Sequence, residues 1–305
     1  MFLGWALGAN DTANIFGTAV AARLIRFSRA ALLTAIFVMI GALVEGEKCF
    51  GTIKELSAGG VISAGAATLS AALVVAVMTY VGLPVSSTQC IVGALTGIAL
   101  LRGAFNLPIL TKVVAAWLAT PVMALLIAYF LHRVLSPLFL RVLSVSEFHS
   151  TMQALLAVFG CYGAYTLGAN NLANVVGPAV AGGAIDPFKA QVIGGMAIAC
   201  GALTYSRKVM ETVGGGIVPM DAFSAFVAVL AHALALHICT WLGIPTSASQ
   251  AIVGAVVGVG MVYGTRAINR GLVALILVGW ILAFTSSGLL GAALDFALSS
   301  LKVPT

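Results

Sequence analysis

Charge is what this chain has least of. Of 305 residues, 15 are lysine or arginine and 9 are aspartate or glutamate, 8% charged against 61% hydrophobic. Soluble domains carry about a quarter charged residues, so a water-facing globular fold is excluded. With a mean hydropathy of +1.11, the chain reads as a polytopic membrane protein. No hydrophilic domain interrupts the apolar segments, which include 31–44, 61–83, 113–131, 188–203, 222–242 and 271–294. Each is long enough, or nearly so, to cross about 30 Å of hydrocarbon as a helix, and roughly eight to ten membrane segments plus two hairpins are expected. A cleavable leader is also missing, since "MFLGWAL" has no basic start. A helix from Met1 to Gly8 covers only about 10 Å, so the first segment is expected to be a half-helix or a truncated start. The five cysteines, Cys49, Cys90, Cys161, Cys200 and Cys239, are odd in number and scattered; they read as small free hydrophobes and imply no disulfide or metal framework. His232 and His237 lie about 140° apart round a helix and share no ligand face, so they read as packed or pore-edge histidines. With no nucleophile, base or metal cluster, an intramembrane enzyme is disfavoured.

Against that scarcity, the polar residues that remain are concentrated. "GANDTANIFGTAV", Gly8 to Val20, recurs as "GANNLANVVGPAV", Gly168 to Val180, at a lag of 160 with eight of thirteen positions identical. Five of the seven asparagines, Asn10, Asn14, Asn170, Asn171 and Asn174, fall in these two stretches. A second pair follows at a lag of 161: "GLPVSSTQCIVGALTG", Gly82 to Gly97, and "GIPTSASQAIVGAVVG", Gly243 to Gly258. Weaker echoes, Lys48 with Lys208 and Trp117 with Trp280, complete the order. The chain is therefore two homologous halves, 1–131 and 160–305, joined by a linker and the start of the next segment at 132–159. Internal repeats of this kind build secondary transporters whose site lies near the midplane where the halves meet. The loop after the first motif carries Arg23, Arg26 and Arg29, whereas its counterpart carries only Asp186 and Lys189; by the positive-inside rule the halves are expected to be inverted.

The two motifs carry different chemistry. A carboxylate at the centre of a bilayer costs about 2.5–3.5 kcal/mol on insertion scales and is rarely there without a task. Asn10, Asn14 and Gly17 share one helix face with Asp11 beside them, a face that offers oxygen ligands to a hard cation or donors to an oxyanion. A lone asparagine would more often be interhelical glue; the duplication together with Asp11 argues for a site. In "LPVSSTQ" and "IPTSASQ", Pro84 and Pro245 break any incoming helix and the following hydroxyl is suited to cap the next one. Each is a re-entrant segment opening on a helix N-terminus, whose free N–H groups suit an anion. Gly93, Gly97, Gly254 and Gly258 are assigned to close helix packing. Lys48, Lys208 and Glu211 are expected near the membrane interface, with a role in the site as the alternative for the two lysines, and Asp295 is expected at the interface.

These residues resemble the inorganic phosphate transporter (PiT) family, sodium- or proton-coupled permeases that also include sulfate permeases. "GANDTAN" and "GANNLAN" match its duplicated signature, "GLPVSSTQ" and "GIPTSASQ" its hairpin motif, and "RKVMETVG", Arg207 to Gly214, a further segment. The resemblance implies an all-α polytopic fold of two inverted repeats with broken helices and two re-entrant hairpins, a homodimer in the plasma or inner membrane, and symport of phosphate with Na⁺ or H⁺ by alternating access. The expected substrate-binding set is Asn10, Ser86, Ser87, Thr88, Gln89, Asn170, Ser247, Ser249 and Gln250. The coupling-ion set is Asp11, Asn14, Asn171 and Asn174, with Na⁺ at Asp11, Asn14 and Asn174. No catalytic residue, cofactor or nucleic-acid partner is expected. One departure stands out: phosphate members of the family usually keep an acidic residue in both signatures, and this chain has Asn171 in the second. That leaves a sulfate permease as the alternative reading and a passive anion channel as a further one.

Overall fold

The computed structural model describes residues 1–210 and 216–301, so Glu211 and the end of "RKVMETVG" lie outside the described residues. Among the described residues the chain is helical, with no strand. The first half contains α1 (Phe2–Asp11), α2 (Ala13–Ala21), α3 (Phe27–Glu45), a 3₁₀ turn at Gly46–Cys49, α4 (Phe50–Leu56), α5 (Val61–Val81), α6 (Ser87–Leu101) and α7 (Leu107–Val142). The second contains α8 (Val145–Ala181), α9 (Pro187–Thr204), α10 (Ala222–Trp241), α11 (Ala248–Tyr263) and α12 (Arg270–Ser300). Between the halves the chain leaves helix only at Leu143 and Ser144, where a Ser144–Glu147 capping box starts α8.

The sequence repeat is a structural repeat. In register, α3 corresponds to α9, α5 to α10, α6 to α11 and α7 to α12, while α1 and α2 together correspond to the end of α8. The first signature is interrupted at Thr12, whose hydroxyl donates to the Gly8 carbonyl at 2.5 Å while its own N–H is 3.4 Å from the same oxygen. A hydroxyl bonded back to the preceding turn competes with the helix ladder. The second copy has Leu172 at that position and α8 runs through it unbroken.

Six helical stretches among the described residues are long and apolar enough to cross a membrane, fewer than the eight to ten expected. The difference arises because α1 and α2 are short pieces and because α9, on the expected segment 188–203, is not among the six. The two short helices α6 and α11, at 15 and 16 residues, reach only about 23 Å. Each follows a longer helix, α5 or α10, across a turn buried at Val85–Ser86 or Thr246–Ser247, so both short helices begin inside the protein. These are the two hairpins.

The halves do not pack separately. α1 lies on α9 and α8 on α3, while α6 lies on α12 and α11 on α7. Glycines make these contacts possible. A Cβ at Gly8 would meet the Ile198 carbonyl and one at Gly168 the Val38 carbonyl; Gly41 and Gly201 face Tyr165 and Trp5 in the same way. At the hairpins, Gly93 and Gly97 abut the backbone of Phe284 and Gly288, and Gly254 and Gly258 that of Pro121 and Leu125. In hydrocarbon, helix association depends on such close approach, because lipid tails are as apolar as any side chain. The apolar interior forms two clusters, one around Phe16, Leu156 and Phe226 with Trp280 at its edge, the other around Val75, Ile91 and Trp117.

Two expectations for the ionisable residues are refined. Asp295 is 1% exposed, held inside the protein by Arg102 at 2.8 and 3.0 Å and by Ser63 at 2.7 Å. Lys48 pairs with Glu45, which also bonds His237, itself 2.7 Å from the Tyr162 hydroxyl. Lys208 donates to the Tyr80 carbonyl at the end of α5, where a cation complements the unsatisfied carbonyls of a helix C-terminus. His232 is buried, and neither ring nitrogen has a partner among the described residues.

Candidate functional site

The hairpin turns are built the same way twice. Ser86 caps α6 by accepting from the Gln89 N–H at 3.1 Å, and Ser247 caps α11 by accepting from the Gln250 N–H at 3.2 Å. Among the described residues the backbone N–H groups of Ser87, Thr88, Ala248 and Ser249 meet no protein acceptor. Four buried donors at two positive helix ends are thus available to something else.

Asn10 and Asn170 hold those turns in place. Asn10 donates to Thr79 Oγ1 (2.9 Å) and the Leu83 carbonyl (3.2 Å) and accepts from the Val85 N–H (3.1 Å). Asn170 repeats the set with Thr240 Oγ1 (3.0 Å), the Ile244 carbonyl (3.3 Å) and the Thr246 N–H (2.9 Å). Both amide hydrogens of each side chain are committed, which makes these asparagines struts of the hairpins. Asn10→Ala and Asn170→Ala each leave one backbone carbonyl and one backbone N–H without that partner and remove the donor to a threonine hydroxyl that still bonds its own preceding turn. Each is expected to destabilise by about 1–3 kcal/mol, read as a lowered unfolding temperature in detergent, and by similar amounts because the contacts are duplicated. Thr79, Thr240 and Thr246 are members of the site missed in the sequence. The signal was present as "TYVGLP" and "TWLGIP", a repeat running three residues ahead of the motif.

Asp11 and Asn14 face the α6 end. Ser87 Oγ donates to Asp11 Oδ2 at 2.7 Å and Asn14 Nδ2 to Asp11 Oδ1 at 3.0 Å. The carboxylate is 1% exposed, and no Lys, Arg or His among the described residues pairs with it. Its partners are neutral, so its charge is buried without a counterion, an arrangement that is costly unless a cation arrives. Asn14 Oδ1 is buried beside it without a partner among the described residues, giving an oxygen-only ligand set suited to a hard cation.

Across from it, Asn174 Nδ2 donates to Thr88 Oγ1 and to Asn171 Oδ1, both at 2.8 Å, and Thr88 Oγ1 donates to the Thr246 carbonyl at 2.8 Å. Thr88 therefore joins the tip of the first hairpin to that of the second. Asp11 and Asn174 do not bond directly; they are linked through the adjacent residues Ser87 and Thr88. Ser249 bonds Ser247 at 3.0 Å. The cluster also gathers polar atoms that are buried and unpartnered among the described residues: Asn14 Oδ1, Gln89 Oε1, Asn171 Nδ2, Asn174 Oδ1, Thr246 Oγ1 and Gln250 Oε1. Native interiors satisfy about 90% or more of such groups, so their concentration at one place marks a position for ligand or ordered water. All thirteen predicted site residues are less than 9% exposed.

The profile of the phosphate transporter family matches residues 7–154 and 141–291, nearly the whole chain. The chain belongs to the phosphate transporter family. This phosphate transporter family protein is 30% identical to a Methanocaldococcus jannaschii protein named "Putative phosphate permease", over 92% of this chain and 90% of that one. It is 28% identical to the sulfate permease CysP of Bacillus subtilis, over 99% and 85%. A solved structure, "The sodium-dependent phosphate transporter", superposes with a TM-score of 0.85 at 25% identity, covering 98% of this chain and 97% of that one. The family is one of membrane permeases and not of enzymes, and the helical fold inferred from composition and repeats is the fold of that transporter.

Proposed function

We propose that this protein is a secondary active transporter that carries inorganic phosphate through the cell membrane, coupled to Na⁺ or H⁺, by alternating access around the paired hairpins. One observation carries the reading: the buried Asp11 carboxylate, with neutral partners only, stands against a helix N-terminus whose N–H donors are free. A cation at Asp11 and Asn14 supplies the missing counter-charge, and an oxyanion between the two hairpin ends takes up the free donors. Each lowers the cost of burying the other, so the two are expected to move together. The likeness to a structure named for sodium dependence favours Na⁺ as the coupling ion. Inverted orientation of the halves, drawn from the loop charges at Arg23, Arg26 and Arg29, lets the same helices open to either side in turn. A homodimer remains part of the proposal through the family resemblance.

Sulfate is the second reading. Asn171 in place of an acidic residue and the likeness to a sulfate permease both support it.

The test is uptake of labelled phosphate into proteoliposomes, with and without an inward Na⁺ gradient at fixed pH. Accumulation above the external concentration only when the gradient is present is the expected result. Equilibration without accumulation under any cation gradient would instead indicate a passive anion pathway.

A further inference from the structure

The two signatures differ at one position in a way that reverses its chemistry. The orientation of the amides there follows from a backbone carbonyl. The Thr246 carbonyl only accepts and lies 2.8 Å from Thr88 Oγ1, nearer than Asn171 Oδ1 at 3.3 Å, so it takes the single hydroxyl hydrogen of Thr88. Thr88 Oγ1 must then accept from Asn174, which therefore presents Nδ2 at 2.8 Å. The second Nδ2 hydrogen of Asn174 reaches Asn171 at 2.8 Å, so Asn171 presents its oxygen there. Asn171 Nδ2 consequently points elsewhere, fully buried, with no acceptor among the described residues. In the first half the corresponding residue, Asp11, offers acceptors on both oxygens, one of them bonded by Ser87. The counterpart of Ser87 is Ala248, which has no hydroxyl. Acceptor and donor have been replaced together.

We propose that Asn171 recognises the oxyanion directly, as a donor to an unprotonated oxygen, and that it makes the site tolerant of sulfate alongside phosphate. The proposal rests on the reading of this site as one for a tetrahedral oxyanion. An amide NH₂ has no lone pair to offer a cation, which removes Asn171 Nδ2 from the coupling-ion set. A carboxylate at the same place accepts a hydrogen bond from the P–O–H of protonated phosphate and repels sulfate, which carries no proton at neutral pH. Discrimination between the two anions depends on such a repulsive element, and at position 171 it is absent, Asp11 being engaged by the coupling cation in the proposed function.

The experiment is isothermal titration of the purified full-length protein with sodium sulfate and sodium phosphate at constant Na⁺ concentration. It compares the native protein with Asn171→Asp and with Asn171→Asp/Ala248→Ser. The native protein is expected to bind the two anions within about tenfold of each other, and Asn171→Asp to weaken sulfate about 10- to 100-fold more than phosphate. The double variant, in which a hydroxyl supports the new carboxylate as Ser87 supports Asp11, gives the same readout should the single one not fold. An unchanged sulfate-to-phosphate affinity ratio in whichever variant is monodisperse overturns the role of Asn171 and leaves the transport reading standing. If the native protein binds neither anion, the oxyanion reading falls and this proposal with it.

Discussion

Asp11→Asn is expected to cut cation-driven accumulation by at least about 100-fold while leaving the protein folded. Removing one partner of a buried charge pair costs about 3–5 kcal/mol, and by the reading above the partner lost here is the transported cation. The variant keeps the size and shape of the side chain, and Ser87 can still donate to its oxygen. The fold itself indicates that the change is tolerated, since Asn171 occupies the equivalent position in the second half, 0% exposed and bonded to Asn174. Stability is expected to hold or improve, because the native protein buries a carboxylate that has only neutral neighbours. Uptake into proteoliposomes under a sodium gradient measures the first effect and thermal unfolding in detergent the second. Full gradient-driven accumulation by this variant would remove Asp11 from the mechanism.

Gly8→Ala carries the largest expected effect on stability. The added methyl would be placed against the main-chain carbonyl of Ile198, and a backbone cannot turn aside as a side chain can. The two helices must separate, and overpacking of this kind costs about 1–3 kcal/mol and at times more. The expected result is an unfolding temperature lowered by roughly 5–10 °C, given the 2–4 °C per kcal/mol typical of larger domains. Gly168→Ala, opposed by Val38, should match it, because the contact is its repeat-related counterpart. Gly65→Ala is the internal comparison: nothing lies within 4 Å of its Cβ position on α5. There the better helix propensity of alanine should leave the protein unchanged or more stable by up to about 1 kcal/mol. Equal effects at Gly8 and Gly65 would mean that close helix approach does not limit stability.

What could be read in the sequence was set by contrast. Asn10, Asn14, Asn170 and Asn174 stand out because polar residues are rare in this chain, and Pro84 and Pro245 mark the hairpin turns because proline has few backbone options. That a hydroxyl after each proline caps the next helix was legible from local chemistry, while its identity as Ser86 and Ser247 comes from the structure. Thr79 and Thr240 were not legible, because a threonine in an apolar helix usually bonds its own preceding turn, and both do so here as well as accepting from the asparagines. The Arg102–Asp295 pair joins residues 193 apart, each of which looked like an ordinary charge at a segment end. The expected symmetry of the signatures also hid a difference: Thr12 interrupts one and Leu172 lets the other continue.

The exchanged packing of the halves bears on how such a chain is made. α1 leaves the ribosome long before α9, its main packing neighbour, which begins 176 residues after α1 ends. Until then, the glycine face that will meet Ile198 has only lipid or the insertion machinery to touch, although α1 and α6 already have α5 of their own half to pack on. Docking becomes a late event that involves both halves at once. The contacts amount to an exchange of helices between the two halves, each supplying what the other lacks. The divergence of Asn171 from Asp11 is something a single chain of two repeats can have and two identical half-length chains cannot, since identical protomers cannot differ at one of two equivalent positions.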